Sequence, residues 1–305
     1  MIFAQCRKTF PGLSFEIKVL KTTGDKLQSK GVKPGQILPK GLFTKELEVA
    51  LVKNRADLAV HSLKDLPTEL PAGLTLGSIT RREDPREVLL YRDRSDRRGF
   101  APGLTINQLP ADLTVATSSP RRKAQLLKLR PDWNVIEIRG NVPTRVAKLH
   151  EGQYDAIVLA AAGLIRLGHQ QDAPALNLDS FVNLRLDPSV FVPAPAQGAL
   201  ALQCREGDRV IDAVFPLHDI STSGPVRAER ELLRLVDGGC NLPFGAWCHR
   251  LDGGDLELMS VLESDGGLIR ESGRSKNPEE LAAALWGQLS HALPEMPTDD
   301  TSLEA

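Results

Sequence analysis

The chain has 305 residues, 41% of them hydrophobic, 25% charged and 5% aromatic, with a formal net charge of −1. That balance belongs to a globular protein of about two or three domains. It argues against wholesale disorder, a fibrous architecture, or a chain-wide attraction to nucleic acid or membrane. The longest apolar run, AIVLAAAGLI over 156–165, is far short of the roughly 20 residues a spanning helix needs, so no membrane span is expected. The four cysteines, Cys6, Cys204, Cys240 and Cys248, have neither CxxC spacing nor the density of a disulfide framework. The opening MIFAQCRKTFPG lacks the basic, apolar and small-residue order of a secretory signal. Free thiols in a cytoplasmic protein are the expectation.

In chain order, FEIKVL (15–20) reads as a strand, Thr44 to Lys53 as a helix, and LAV (58–60) as a strand that delivers HSLKDLP (61–67) to its carboxyl end. LTVA (113–116) precedes a helix from Arg121, VIEI (135–138) precedes another with Gly152 as its C-cap glycine, and AIVLA (156–160) is a further strand. This alternation predicts βαβ units, largely parallel sheets and the α/β class. YRDRSDRRGFAPG (91–103) and the proline-rich VPAPAQG (192–198) read as crossings between domains. After Asp219 a third unit closes with NPEELAAALWGQL, where Asn277 is placed to cap a helix and Pro278 to occupy its first position. The tail from Pro294 is polar and expected to fray.

Charge is unevenly spread. Arg121, Arg122, Lys123, Lys128, Arg130, Arg139, Arg145 and Lys148 face only Asp132 and Glu137 within 121–148. Ligands of open α/β sheets bind beyond strand carboxyl ends, and polar residues gather at three such places. Thr117, Ser118 and Ser119 separate a strand from a helix that opens Pro120-Arg121-Arg122, so N–H groups, hydroxyls and guanidiniums converge as an anion site would require. The same residues also read as an ordinary serine cap followed by solvated arginines. Arg139-Gly140-Asn141, with Arg145 in the next helical turn, repeats the arrangement; cations at a helix N-terminus oppose its dipole unless an anion intervenes. Nucleic acid is disfavoured, since only Trp133 interleaves with these charges. In HSLKDLP, Asp65 beside Lys64 is either a general acid and stabiliser of a cationic intermediate or an exposed ion pair at a turn, and His61 reads as structural. GGCNLPFGAWCH (238–249) exposes Cys240 after paired glycines or buries it as a small hydrophobe. Cys248 and His249 match no familiar zinc spacing, and no metal is expected.

Seven blocks in order, KTTGDK (21–26), KGLFTKELEVALVKNRADLAVHSLKDLP (40–67), REDPRE (82–87), TSSPRRKAQL (117–126), IRGNVPTRVAKLHEGQYDAIVLAAAGLIRLG (138–168), AQGALALQCRE (196–206) and VRAERELLRLVDGGCNLPFGA (226–246), resemble the porphobilinogen deaminase (hydroxymethylbilane synthase) family over nearly the whole chain. The resemblance implies three α/β domains: 1–85 with 197–217, 86–196, and 218–305. The first two would flank a cleft as in type II periplasmic binding proteins, and the third would carry a cysteine loop. It implies a dipyrromethane cofactor joined through Cys240 and a reaction that polymerises four porphobilinogen units, with loss of ammonia, into linear hydroxymethylbilane. Asp65 matches the family's catalytic aspartate. Ser62, Lys64, Lys40, Thr117, Ser118, Ser119, Arg121, Arg122, Arg139, Gly140, Arg145 and Gln197 fall on cofactor- and anion-binding positions. A monomer with a small-molecule substrate and no nucleic acid or membrane partner is implied. A non-catalytic anion-binding module on the same cleft would explain the arginines but neither Asp65 nor Cys240.

The sequence departs from the family pattern in lacking RxSxLAxxQ before the segment MIFAQCRKTFPGLSFEIKV. Unpaired backbone and exposed apolar surface beside the cleft are therefore expected. Of a start codon further upstream, a truncated relic and a binding-only paralogue, the first is favoured because the other site residues are intact. Ala196 stands where the family commonly has glycine, which is tolerable unless the position needs a positive φ.

Overall fold

The computed structural model describes residues 1–24, 44–92, 100–168, 176–236, 243–264 and 267–293. Among them the chain forms three sheets. The first is entirely antiparallel, in the order β1 (Ala59–Ser62), β8 (Leu200–Arg205), β2 (Leu74–Ile79). Its central strand LALQCR is buried along nearly its whole length. Helices α1 (Ile2–Thr9), α2 (Lys45–Val52) and the short α6 (Val210–Val214) belong to this part of the chain.

The second sheet has five strands in the order β5 (Asn134–Ile136), β4 (Thr114–Ala116), β6 (Ala156–Ala160), β3 (Glu87–Arg92), β7 (Phe181–Arg185). Helices α3 (Pro120–Leu129), α4 (Val142–His150) and α5 (Ala161–Gly168) follow its strands. One cluster of buried side chains around Leu89, Tyr91, Leu126 and Phe191, and another around Val88, Leu90, Ile157 and Leu159, cover its two faces. Alternation along β3 sends successive side chains to opposite faces, which is why all of EVLLY can be buried.

The third sheet is the meander β9 (Phe244–Arg250), β10 (Leu256–Ser264), β11 (Gly267–Ser275). Helices α7 (Ile220–Leu235) and α8 (Pro278–Ala292) pack on one of its faces around Leu232, Leu258, Leu281 and Leu285. Asn277 caps α8 by accepting from the Glu279 and Glu280 N–H groups, with Pro278 at the first position as expected.

The largely parallel sheets expected from the sequence are not found. Among the described residues only the β4–β5 and β4–β6 pairs are parallel. These are the pairs linked through whole helices, which return the chain to its starting end; β3 pairs antiparallel with β6 and β7. FEIKVL takes up no ladder, and Ile17 and Val19 are 63% and 85% exposed, since no described strand lies alongside to satisfy its backbone. The 91–103 stretch is not a boundary: Tyr91 lies inside β3, fully buried, and its hydroxyl donates to the Ala101 carbonyl.

The chain passes from the first sheet to the second over 80–86 and returns over 186–199. The two crossings are bonded to each other and to β8: Glu83 N–H donates to the Gly198 carbonyl and Thr80 N–H to the Leu200 carbonyl, both at 3.0 Å. Ala196 has φ +60 and Gly198 φ +93. A Cβ at Gly198 would lie 2.3 Å from the Glu83 carbonyl oxygen. Ala196 therefore occupies the left-handed region in which glycine is favoured. Ala196→Gly should stabilise the protein by about 0.5–1 kcal/mol, the relief of left-handed strain less glycine's extra chain entropy. Gly198→Ala should destabilise it by more than about 2 kcal/mol. Thermal melts of the two variants check both signs.

Candidate functional site

A cavity of about 350 Å³ opens between the HSLKDLP turn of the first sheet and the strand ends of the second. β1 ends at Ser62 and continues into a 3-10 turn, Leu63–Asp65. Leu63 and Leu66 are buried against Ala199, Ala201 and Val226, and this alternation turns Lys64 and Asp65 toward the cavity. His61 is buried and paired through Nε2 with Gln203 Oε1 at 2.9 Å, as a structural histidine would be. Gln197, from the return crossing, donates to the Pro85 carbonyl at 2.9 Å and accepts from Lys64 Nζ at 3.2 Å.

The opposite wall comes from two strand-to-helix turns. Ser119 caps α3 by accepting from the Arg122 N–H, and Thr117 Oγ1 accepts from the Ser119 N–H, so both hydroxyls are committed to the turn. Ser118 Oγ accepts instead from Arg145. At the second turn Gly140 has φ +117, and a Cβ there would lie 2.7 Å from Thr144. Asn141 caps α4 by accepting from the Thr144 N–H, and Arg145 Nε donates to the Gly140 carbonyl at 2.7 Å.

One carboxylate sorts the arginine pair. Glu87, at the start of β3 and fully buried, accepts from Arg121 at 2.6 Å and from Arg122 at 2.7 Å. Arg121 also donates to the Val192 carbonyl and lies against Gly245 of β9, away from the cavity. Arg122 also donates to the Val158 carbonyl, and it lines the cavity with its Nε buried and unpartnered. Burial alone would raise the Glu87 carboxyl; the two guanidiniums overcome that and hold it at about 2.

Of the residues singled out in the sequence, Ser62, Lys64, Asp65, Arg122, Gly140, Arg145 and Gln197 line the cavity. Thr117, Ser118, Ser119 and Arg121 stand behind it, and Arg139 pairs with Glu137 at the half-exposed rim. Lys40 and Cys240 lie outside the described residues. Arg166 of α5 also lines the cavity, with Nε buried and unpartnered and a terminal nitrogen donating to the Gly198 carbonyl. Sequence reasoning missed it because it sits in the last turn of a helix instead of at a strand end; the small Ala162, one helical turn earlier on the same face, was the available signal. Glu87 was missed too, although a lone carboxylate opening an otherwise apolar strand marks a buried ion pair.

The lining residues thus present Lys64, Arg122, Arg145 and Arg166 against the single carboxylate Asp65. Burial lowers the Lys64 ammonium, and burial together with Arg122 and Arg139 brings Arg145 down to about 10. These cations are desolvated and mutually repelling, an arrangement a ligand with several carboxylates would relieve. Among the described residues no cluster of metal-ligating side chains occurs, and no helix is long and apolar enough to cross a membrane.

Fold and site together define an α/β protein with a cation-lined cleft and one acid set among its cations. The sequence profile described as "Porphobilinogen deaminase, dipyromethane cofactor binding domain" matches residues 1–213. Porphobilinogen deaminase of Syntrophobacter fumaroxidans is 44% identical, over 89% of this chain and 82% of that protein. Those of Thermus thermophilus (44%, over 87% and 80%) and a Roseiflexus species (40%, over 95% and 90%) are similarly close. The chain belongs to the porphobilinogen deaminase family, transferases of tetrapyrrole biosynthesis whose matched domain holds a dipyrromethane cofactor. The unpartnered Nε atoms of Arg122 and Arg166 fit a cofactor bearing carboxylates.

Removing the Glu87 charge leaves two buried guanidiniums without their counter-ion. Glu87→Gln should destabilise the protein by roughly 3–5 kcal/mol at neutral pH. Because the folded value lies near 2, below the ordinary 4.5, the stability it contributes is complete above pH 4.5 and is lost as pH falls toward 2. Melting temperatures of the two proteins should therefore converge as the pH drops below about 4.5.

Proposed function

We propose that this chain is a hydroxymethylbilane synthase, joining four porphobilinogen molecules head to tail, with loss of ammonia at each addition, and then releasing linear hydroxymethylbilane by hydrolysis. The observation that carries the reading is the cavity lining, in which four cations face one carboxylate. Porphobilinogen carries acetate and propionate arms, so each addition brings in two more carboxylates that need such partners. The dipyrromethane, attached in this reading through Cys240, supplies when bound the pyrrole carbon to which the first unit is joined.

The chain's own residues then have distinct tasks. Arg122, Arg145 and Arg166 bind carboxylate arms, with Ser62, Lys64, Arg139 and Lys40 completing the anion-binding wall. Gln197 sets the direction of the Lys64 ammonium. Asp65 gives a proton to the departing substrate amine and, as a carboxylate, stands opposite the substrate-derived cation that ammonia leaves behind. Exposed to the cleft, it can take up a proton again between additions. Thr117, Ser118, Ser119, Arg121 and Gly140 shape the two turns that aim the arginines.

The domains read as 1–85 with 197–217, 86–196, and 218–305, a division supported by the separate sheets. In this reading the first two form a cleft of the type II periplasmic-binding-protein kind. One solved structure, the BvgS periplasmic VFT2 domain of Bordetella pertussis, matches at a TM-score of 0.37, with 18% identity over 75% of this chain and 80% of that one. A cytoplasmic monomer completes the proposal, in keeping with the free thiols of Cys6, Cys204 and Cys248.

Incubated with porphobilinogen, the purified protein should consume it and yield uroporphyrin after acidification and oxidation. Asp65→Asn should slow this by about 100-fold or more with the fold intact by circular dichroism; turnover near that of the parent would sink the role of Asp65. Intact mass should exceed that of the bare polypeptide by one dipyrromethane and return to it in Cys240→Ser. Tight binding without consumption would favour an anion-binding module instead.

A further inference from the structure

Asp65 makes no hydrogen bond or ion pair among the described residues, so its position depends on the backbone of its turn. That turn is short, Leu63–Asp65, and its closing bond from the Leu66 N–H to the Leu63 carbonyl is long, at 3.3 Å. A single 3-10 turn of this kind holds its shape poorly alone. Support comes from the third sheet's helix α7. Val226 and Arg230 lie four residues apart, on one face of α7. Val226 packs with Leu63 and Leu66. Arg230 donates to the Leu63 carbonyl at 3.2 Å, the Leu66 carbonyl at 2.9 Å and the Pro67 carbonyl at 2.7 Å. These carbonyls bracket Lys64 and Asp65. Among the described residues no carboxylate pairs with this guanidinium, and burial pushes it down to about 10. A partly buried cation held by neutral carbonyls is a costly way to add stability alone. It suits a guanidinium because the planar fork can reach several carbonyls in fixed directions, which an ammonium cannot.

We propose that Arg230 is a positioning residue for Asp65, holding the acid-bearing turn by its carbonyls so that the carboxylate projects into the cleft at a fixed place. The proposal rests on Asp65 acting as the acid in the reaction above. Arg230 is not among the residues that line the cavity.

The test uses cofactor-loaded protein, with loading verified by intact mass and rates expressed per loaded molecule. Arg230→Met should lower kcat by roughly 10- to 100-fold, the cost of a small misplacement of a reacting group. KM should stay within about threefold, as expected when binding is untouched. Arg230→Lys should fall between Met and the parent, and it serves alone if Arg230→Met does not fold. Leu232→Ala, which loosens α7 against the third sheet and belongs to a cluster that excludes the turn, should lower the melting temperature and leave kcat unchanged. In an Asp65→Asn background, Arg230→Met should add less than about a twofold loss, because the two act as one unit. A lowered melting temperature with kcat intact in both Arg230 variants would overturn the proposal, as would losses that multiply in full with Asp65→Asn. Amide exchange of residues 63–67 should rise in Arg230→Met and not in Leu232→Ala. That comparison decides the backbone hold even if the parent protein fails to consume porphobilinogen, the outcome that would instead sink the functional reading.

Discussion

The buried carboxylate of Glu229 is the contact on which the three sheets depend. It has no exposed surface, and every one of its partners comes from a different stretch of chain. Arg82, from the outward crossing, gives it two hydrogen bonds; the Ala196 N–H comes from the return crossing and the Cys248 N–H from β9. A carboxylate buried this deeply is tolerable because its oxygens are satisfied by a guanidinium and two backbone donors. The position of α7 against both crossings follows from it. So does the reach of the neighbouring Arg230 into the acid-bearing turn.

Glu87 performs a comparable task at the cleft, dividing two adjacent arginines between different jobs. Arg121 is directed to the Val192 carbonyl and the third sheet, whereas Arg122 keeps part of its guanidinium for the cavity. Structure and binding thus draw on one ion-pair network. The cations left in the cavity are held by carbonyls and hydroxyls, as in Arg145 with Gly140 and Ser118, and Arg166 with Gly198. Neutral partners fix their direction without cancelling their charge. The site therefore remains electropositive while being geometrically set.

Much of this was legible in the sequence where local rules govern. The cap at Asn277, the serine cap weighed before α3, the glycine after α4 and the strands at 58–60, 113–116 and 156–160 all follow from short-range chemistry and were found within a residue or two, whereas the cap at Asn141 was read only as part of a loop. Convergence of HSLKDLP with the arginine-bearing turns was legible because ligands of α/β sheets gather at strand carboxyl ends, although these ends come from two different sheets. Strand direction was less so: alternating strands and helices suggested parallel pairing, while β3 and β8 reverse through crossings that leave no periodic signature. Arg121 and Arg122 are indistinguishable as letters and are separated only by a glutamate 34 residues away in the chain. FEIKVL has the pattern of a strand, but a strand is a relation between segments, and no described neighbour completes it.

The return crossing shows how two neighbouring positions of the same backbone handedness can face different evolutionary limits. At Ala196 the constraint is torsional, an energy that any side chain pays and that compensating contacts can absorb; the Ala196 N–H bond to Glu229 is one of them. At Gly198 it is volumetric, because the Glu83 carbonyl occupies the space a side chain would need. Sequence drift can therefore pass through the first position and not through the second. The glycine marks where two lengths of backbone meet in contact, and the alanine marks only a turn the chain can be made to take.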